Sequence, residues 1–147
     1  MKRRAFFDTS VLVAALVREH PRHAAAAALL NEVFHGQEQS FMSAHGLAEL
    51  YAALTRAPAP LLISPGDAWR MIETSLLPHV ELVALTREEY RAMLKECSQH
   101  GLTGGRVYDL IHIRAAQKAG CTRLYTFNVK DFRTMAPAVL REAITAP

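Results

Sequence analysis

Cysteine is scarce in this sequence of 147 residues, and the two that are present, Cys97 and Cys121, lie far apart. Neither has a histidine or second cysteine at the spacing of a zinc site, so we expect two reduced thiols without a disulfide. No stretch approaches the roughly 20 apolar residues that span a bilayer, so no membrane-spanning helix is predicted. Asp8 interrupts the first apolar run, which argues against a secretory signal, and we expect a cytoplasmic protein.

An excess of one charge is also missing. Lys and Arg number 17 against 14 Asp and Glu, which gives a net charge of +3 and a pI near 9.1. The basic residues are scattered, so the charge alone indicates a polyanionic partner only weakly. Half of the residues are hydrophobic, which is sufficient for one domain over residues 1–147 with a core of its own.

What the sequence does contain is an alternation of strand-like and helix-like segments. The pattern predicts strands at 4–7, 39–43, 80–85 and 123–127, the last being the final clear strand. It predicts helices that start at 11, 23, 44, 65, 87 and 107 and end near 17, 34, 56, 77, 100 and 118. Strands that alternate with helices favour an α/β fold, in which helices cover both faces of a central, mainly parallel sheet in a three-layer α/β/α sandwich.

An acid, Asp8, stands directly after the first predicted strand, and two hydroxyl residues, Thr9 and Ser10, follow it. In parallel sheets, functional groups gather beyond the carboxyl ends of the strands. Asp8 is therefore a candidate functional carboxylate. The alternative is that its side chain caps the following helix, because Asp is a preferred N-cap residue.

Two further acids lie within predicted helices. Glu49 follows the second strand in HGLAELYAAL and is either functional or an ordinary solvated residue. Asp109 shares a helical row with Ile113 and Ala116, so its carboxylate is expected to point toward the protein. Because a buried Asp requires a partner, Asp109 is either a functional acid or one half of a salt bridge to an arginine.

A polar residue, Asn128, follows the final predicted strand, with Asp131 three residues later. Asn128 is either a helix cap or a member of the same site. If the acids converge, each like-charged pair at 4 Å costs about 4 kcal/mol at an effective dielectric of 20. No lysine or arginine lies next to Asp8, Glu49 or Asp109 in sequence except Arg106, one turn before Asp109. A divalent cation would relieve this repulsion, and oxygen ligands suit Mg²⁺ or Mn²⁺ better than Zn²⁺.

Four segments, in this order, resemble the motif regions of PIN domains: FDTSVLVAAL, AELYAAL, GGRVYDLIHIRAA and LYTFNVKDF. The full pattern is most similar to the VapC-type toxins of bacterial toxin–antitoxin pairs, and it extends from about residue 4 to residue 132. The resemblance implies a Mg²⁺-dependent endoribonuclease that a cognate antitoxin inhibits. It also implies a homodimer whose substrate is RNA.

The resemblance assigns a role to individual residues. Asp8, Glu49 and Asp109 match the three motif acids and would hold the metal. Asn128 takes the fourth position, where many members have Asp, so one metal ion is expected rather than two. Supporting roles fall to Thr9, Ser10, Thr126 and Asp131, and RNA phosphates would contact Arg106, Lys130 and Arg133 at the rim.

Two other α/β folds with acids at strand ends require residues that this sequence lacks. A receiver domain needs a pair of acids after its first strand, but Asp8 stands alone, and a DxDxT phosphatase is excluded because position 10 is Ser. A PIN nuclease of RNA processing outside a toxin–antitoxin pair and a catalytically weak PIN binding module remain as alternatives. We assign no histidine a catalytic role. His45 and His112 lie near the motif acids and either touch the substrate or, as we expect, pack in the core or behind the site. Trp69, with the apolar run at 61–63, either forms a groove or dimer surface or, as we expect, lies in the core.

Overall fold

A parallel sheet forms the middle layer of the molecule. The structure is a computed structural model and describes residues 2–58 and 60–147. The strands are β1 (Arg4–Phe7), β2 (Gln39–Ser43), β3 (Val80–Val83), β4 (Arg123–Tyr125) and β5 (Ile144–Thr145). The helices are α1 (Thr9–Leu16), α2 (His23–His35), α3 (Ala44–Thr55), α4 (Pro65–Ser75), α5 (Arg87–His100), α6 (Gly105–Lys118), α7 (Val129–Met135) and α8 (Ala138–Arg141).

The order of the strands places the first strand in the centre. The sheet runs β3-β2-β1-β4-β5, and every neighbouring pair is parallel. Because the chain moves from β1 to β2 on one side and later to β4 on the other, the topology changes direction at β1. The predicted α/β class with a parallel sheet is therefore confirmed, and the carboxyl end of β1 lies at the switch point where ligands bind in such folds.

The two faces of the sheet bury separate apolar clusters. Phe6 points to one face and packs in a cluster with Phe41 and Leu124 under residues of α5 to α8. Ala5 and Phe7 point to the other face, into the cluster formed with residues of α1 to α4. Successive residues of a strand face opposite sides, so one short strand contributes to both clusters. This arrangement confirms the predicted three-layer sandwich.

Several predicted boundaries shift by one or more residues. Strand β3 ends at Val83 rather than at residue 85, and β4 ends at Tyr125 rather than at residue 127. Helix α1 begins at Thr9, two residues earlier than predicted. The prediction that no clear strand follows β4 was wrong, because Ile144–Thr145 adds β5 at the edge of the sheet. Two residues are too short to show a strand periodicity.

The expectation that Trp69 lies in the core was also wrong, since Trp69 is 47% exposed. On α4 the buried residues are Ala68 and Ile72, one helical turn apart. Trp69 follows Ala68 by one residue and is therefore rotated about 100° away from the buried row.

Within residues 2–58 and 60–147, no helix combines the length and the apolar character that crossing a bilayer requires.

Candidate active site at the carboxyl edge of the sheet

The carboxylate of Asp8 is held at the end of β1. The Asp8 N–H donates to the carbonyl of Tyr125 at 3.0 Å, which joins the ends of β1 and β4. The side chain is buried and makes no capping hydrogen bond to α1. Instead, Oδ2 of Asp8 accepts from the hydroxyls of Ser10 and Thr126, both at 2.8 Å. The helix-cap alternative therefore does not describe what this side chain does.

Both hydroxyls are fixed by the backbone of the β4–α7 connection. The N–H of Phe127 donates to Oγ of Ser10 at 3.2 Å, and the N–H of Asn128 donates to Oγ1 of Thr126 at 3.0 Å. Each hydroxyl accepts from a backbone amide and donates to Asp8, so its proton has a defined direction. Two donors thus occupy Oδ2 of Asp8. The other oxygen, Oδ1, faces Nε2 of His112 at 3.6 Å, a charge contact too long for a hydrogen bond.

Helix α3 brings Glu49 to the same edge. Its N-cap is Ser43, the last residue of β2, whose Oγ accepts from the N–H of Gly46 at 2.8 Å. Glu49 lies in the second turn, and its Oε1 accepts from Nε2–H of His112 at 2.8 Å. Glu49 is therefore a member of a buried network and not an ordinary solvated residue.

A buried histidine on α6 connects these groups. His112 is 1% exposed, and its Nδ1 is 2.8 Å from Oγ of Ser43. Burial alone would lower the pKa of His112, but the hydrogen bond to Glu49 and the nearby carboxylates raise it overall. Burial raises the pKa of Glu49, whereas the bond to His112 and the charges of His112 and His45 lower it overall. His112 can thus carry positive charge among the acids, which a count of lysines and arginines does not reveal.

Asp109 precedes His112 by three residues and shares its face of α6. It is half-buried, and its pKa is raised from 3.8 to about 6 by burial, by the charge of Asp8 and, more weakly, by Glu49 and Asp131. The described part of the chain contains no ion pair between Asp109 and an arginine, so that alternative is not what the side chain does. The charges of Asp8 and Glu49 affect the pKa of Asp109, which agrees with the expectation that the three acids lie close together.

The remaining predicted residues lie around this cluster. Asn128 is exposed at the N-cap position of α7 but makes no side-chain capping bond, and Asp131 is exposed in the first turn of α7. Thr9 is buried, and its Oγ1 has no hydrogen-bond partner among the described residues. Because a buried hydroxyl rarely lacks a partner, Thr9 is a candidate for contact with a ligand or water.

The donor set fits a hard divalent cation. The oxygen donors at this edge are carboxylates and hydroxyls, which lie beside the imidazole of His112, and burial together with the charge of Asp8 raises the pKa of Asp109. Over residues 2–58 and 60–147, however, no three Asp, Glu, His or Cys side chains stand close enough to form a metal site as they are arranged. Glu49 is turned toward His112. The three-acid metal site therefore stays a prediction.

The basic residues predicted to contact RNA are all exposed, and one aromatic residue stacks on His45. Arg106 and Lys130 are exposed, while Arg133, also exposed, donates from its guanidinium to the carbonyl of Ile144 at 2.9 Å. Arg133 therefore stabilises the edge strand in addition to any role at the rim. Tyr108, which is 49% exposed, stacks on His45 with ring centroids 4.9 Å apart.

His112 is the main residue of the site that the sequence analysis did not select. The prediction that it packs near the acids is confirmed, but it also contacts two of them directly. A sequence signal was available, because His112 follows Asp109 by three residues and so shares its helical face. Its partner Ser43 lies 69 residues away, and no pattern in the sequence links the two.

Comparisons with known proteins agree with the fold and the motif order. A profile described as PIN domain matches residues 5–136. Two curated Mycobacterium tuberculosis proteins are similar. Ribonuclease VapC27 is 36% identical over 111 residues, 75% of each chain, and Ribonuclease VapC40 is 33% identical over 127 residues, 86% of this chain and 88% of the relative.

Two solved structures share the fold. One is Mycobacterium tuberculosis VapC20, described as a Sarcin-Ricin loop cleaving toxin, with a TM-score of 0.71 and 20% identity over 93% of this chain and 98% of that chain. The other is VapBC2 from Rickettsia felis bound to a DNA fragment from their promoter, with a TM-score of 0.66 and 18% identity over 98% of both chains.

Proposed function

Because this chain belongs to the PIN-domain family and is related to the VapC ribonucleases, we propose that it is a Mg²⁺-dependent endoribonuclease. The observation that carries the proposal is the cluster at the end of β1. Asp8, Glu49 and Asp109 come from three separate segments and occupy one edge of the sheet, where burial first, and then the charges of Asp8 and Glu49, raise the pKa of Asp109 to about 6. Such an arrangement is costly unless a cation compensates it.

In this proposal Asp8 and Asp109 hold the cation, and Glu49 supports it. Oδ1 of Asp8 is available because the hydroxyls of Ser10 and Thr126 already occupy Oδ2. The chemistry that Mg²⁺ or Mn²⁺ supplies in such a site is Lewis-acid stabilisation of the charge that a phosphodiester gains during attack by water. Asn128, without a charge, makes one ion more favourable than two.

The carboxylates orient the attacking water and receive its proton, since they are the acceptors at this edge. By analogy with the family, attack by water breaks the bond between phosphorus and the 3′-oxygen, so the products carry a 5′-phosphate and a 3′-hydroxyl. Arg106, Lys130 and Arg133 contact the RNA phosphates from the rim. This role is supported by their exposure and by their positive charge.

The biological role that we propose is that of the toxin in a toxin–antitoxin pair. The support is the relation to the VapC ribonucleases and the fold shared with a VapBC structure. The partners would be a cognate antitoxin, RNA and a second copy of this chain in a homodimer, all in the cytoplasm. The exposed Leu62 and Trp69 provide apolar surface for one of the protein partners.

The test combines RNA cleavage with growth. Purified wild-type protein is incubated with a mixed-sequence RNA in Mg²⁺, and the ends of the products are mapped. We expect 5′-phosphate ends, no cleavage in EDTA and none with Asp8→Asn. The control Asp67→Asn neutralises an exposed acid on α4 that pairs with Arg70 and should cleave like wild type.

Two results would contradict the proposal. The appearance of 2′,3′-cyclic phosphate ends would exclude attack by water, and full activity in EDTA would exclude the metal. Induced expression in bacteria then tests the toxin role. Wild type and Asp67→Asn should arrest growth, whereas equal arrest by Asp8→Asn would show that the toxicity does not depend on this site.

A further inference from the structure

We propose that His112 is a positioning residue of the active site, anchored by Ser43 so that it holds the carboxylate of Glu49 in one orientation. The inference rests on the proposed metal-dependent nuclease function. Its first support is the continuous chain of contacts from β2 through α6 to α3. Oγ of Ser43 lies 2.8 Å from Nδ1 of His112, and Nε2 lies 2.8 Å from Oε1 of Glu49.

The chain of hydrogen bonds holds in either protonation state of His112. An ionised Glu49 can only accept, so Nε2 carries a proton and donates to Oε1. In a neutral ring Nδ1 then accepts from the hydroxyl of Ser43, and in a charged ring Nδ1–H donates to it. The N–H of Gly46 fixes the same oxygen at 2.8 Å. The orientation of Glu49 is thus set by geometry rather than by a particular pH.

The second support is that the backbone of α3 is shaped around the imidazole. A Cβ at Gly46 would lie 3.1 Å from Cε1 of His112, 3.1 Å from Oγ of Ser43 and 3.4 Å from Oγ1 of Thr9. Two of these distances are shorter than ordinary van der Waals contacts. Any side chain at position 46 would therefore displace the ring or its anchor, and a residue without a Cβ lets the ring approach.

The consequence concerns the two oxygens of Glu49. Nε2 of His112 lies 2.8 Å from Oε1 of Glu49. Nε2 of His45 lies 3.2 Å from the same oxygen and makes no hydrogen bond among the described residues. Across the described residues, no hydrogen bond reaches Oε2. His112 thereby occupies Oε1 of Glu49 and leaves Oε2 free to bind a cation or a water molecule on that cation. It acts on the reaction through Glu49 and does not touch the substrate.

The experiment uses two substitutions to test the hydrogen bonds of the two ring nitrogens of His112 one at a time. An Asn amide places a polar atom near the position of Nδ1, and a Gln amide places one near the position of Nε2. His112→Asn keeps the hydrogen bond to Ser43 but loses the hydrogen bond to Glu49. His112→Gln keeps a donor for the hydrogen bond to Glu49. His100→Asn, an exposed histidine at the end of α5, is the matched control.

Four quantities are measured for each variant: the Mn²⁺ affinity by calorimetry of the metal-free protein, kcat and KM for RNA cleavage, and the melting temperature. For His112→Asn we expect a loss of about tenfold in Mn²⁺ affinity and 10- to 100-fold in kcat with KM unchanged, the usual effect of removing a residue that orients a metal ligand. His112→Gln should recover most of both losses. His100→Asn should match wild type.

Gly46→Ala provides a second, independent test, because it keeps every hydrogen-bonding group and only crowds the ring. It should lower kcat and Mn²⁺ affinity in the same direction as His112→Asn. The inference is overturned if His112→Asn binds Mn²⁺ and cleaves like wild type. It is also overturned if His112→Asn and His112→Gln lose activity equally and in proportion to their melting temperatures. Failure of the wild type itself to cleave RNA would instead refute the proposed function.

Discussion

Replacing Asp109 by Asn should stabilise the metal-free protein while it abolishes cleavage. The substitution is nearly isosteric, and Asp and Asn have similar helix propensities, so α6 should be unaffected. What changes is the charge. Asp109 is half-buried, and burial together with Asp8 raises its pKa from 3.8 to about 6. The folded protein therefore holds the ionised form of this acid less favourably than the unfolded chain does.

The magnitude follows from the shift in pKa. About two pKa units correspond to roughly 3 kcal/mol between the ionised and neutral forms. Because Asp109 is half exposed, solvent screening reduces this, and we expect a gain of about 1–2 kcal/mol. For 147 residues, with an unfolding entropy of about 2.1 cal/mol/K per residue, the melting temperature should rise by about 3–6 °C.

The sign of the pH dependence is equally definite. An acid whose pKa is raised in the folded state holds its proton more tightly there than in the unfolded chain. The free energy of unfolding of wild type therefore falls as the pH rises from 3.8 through about 6. The gain from Asp109→Asn should be full above pH 6 and should shrink toward zero as the pH falls to 3.8. Added Mn²⁺ should stabilise wild type and leave the variant nearly unchanged.

The assay is thermal unfolding of metal-free wild type and Asp109→Asn at several values of pH, with and without MnCl₂. Asp67→Asn, an exposed acid in the first turn of α4, is the control and should show no gain. If Asp109→Asn is no more stable than wild type at pH 7.5, or if its gain is the same at pH 4.5 and 7.5, then burial and the neighbouring charges do not disfavour the ionised form of Asp109.

Three further predictions concern other parts of the structure. Thr126→Val removes the buried hydroxyl that bonds both Asp8 and the N–H of Asn128, so urea unfolding should show a loss of about 1–3 kcal/mol; a loss below 0.5 kcal/mol would contradict this. Thr86→Ala breaks the capping box of α5 and should cost about 1 kcal/mol, lowering the melting temperature by about 3 °C; an unchanged value would mean that the cap contributes nothing. Burial raises the pKa of the Cys121 thiol to about 12. Intact-mass analysis should therefore find this thiol unmodified by iodoacetamide at pH 7.5 until the protein is denatured. Rapid modification of the native protein would refute this prediction.

The sequence by itself determined the layers of the fold and indicated the acids of the candidate site. Short apolar strands alternating with helices require a parallel sheet covered on both faces, because a parallel connection needs a crossover and each helix must bury its apolar row. Asp8 and Asp109 could be considered because a carboxylate after a core strand, or in line with an apolar helical row, is costly without a role. Glu49 was assigned by the resemblance to the PIN motifs. These are local properties, and the residues that express them are close together in the chain.

Only the tertiary structure decided what surrounds those acids. The sequence suggested that a cation must lie between them, but not that His112 stands there, because its partners Ser43 and Glu49 are 69 and 63 residues away. Likewise, Thr126 reaches Asp8 across 118 residues through the pairing of β1 with β4. Such contacts depend on which strands become neighbours and how closely the helices pack. Periodicity within one segment carries no information about either.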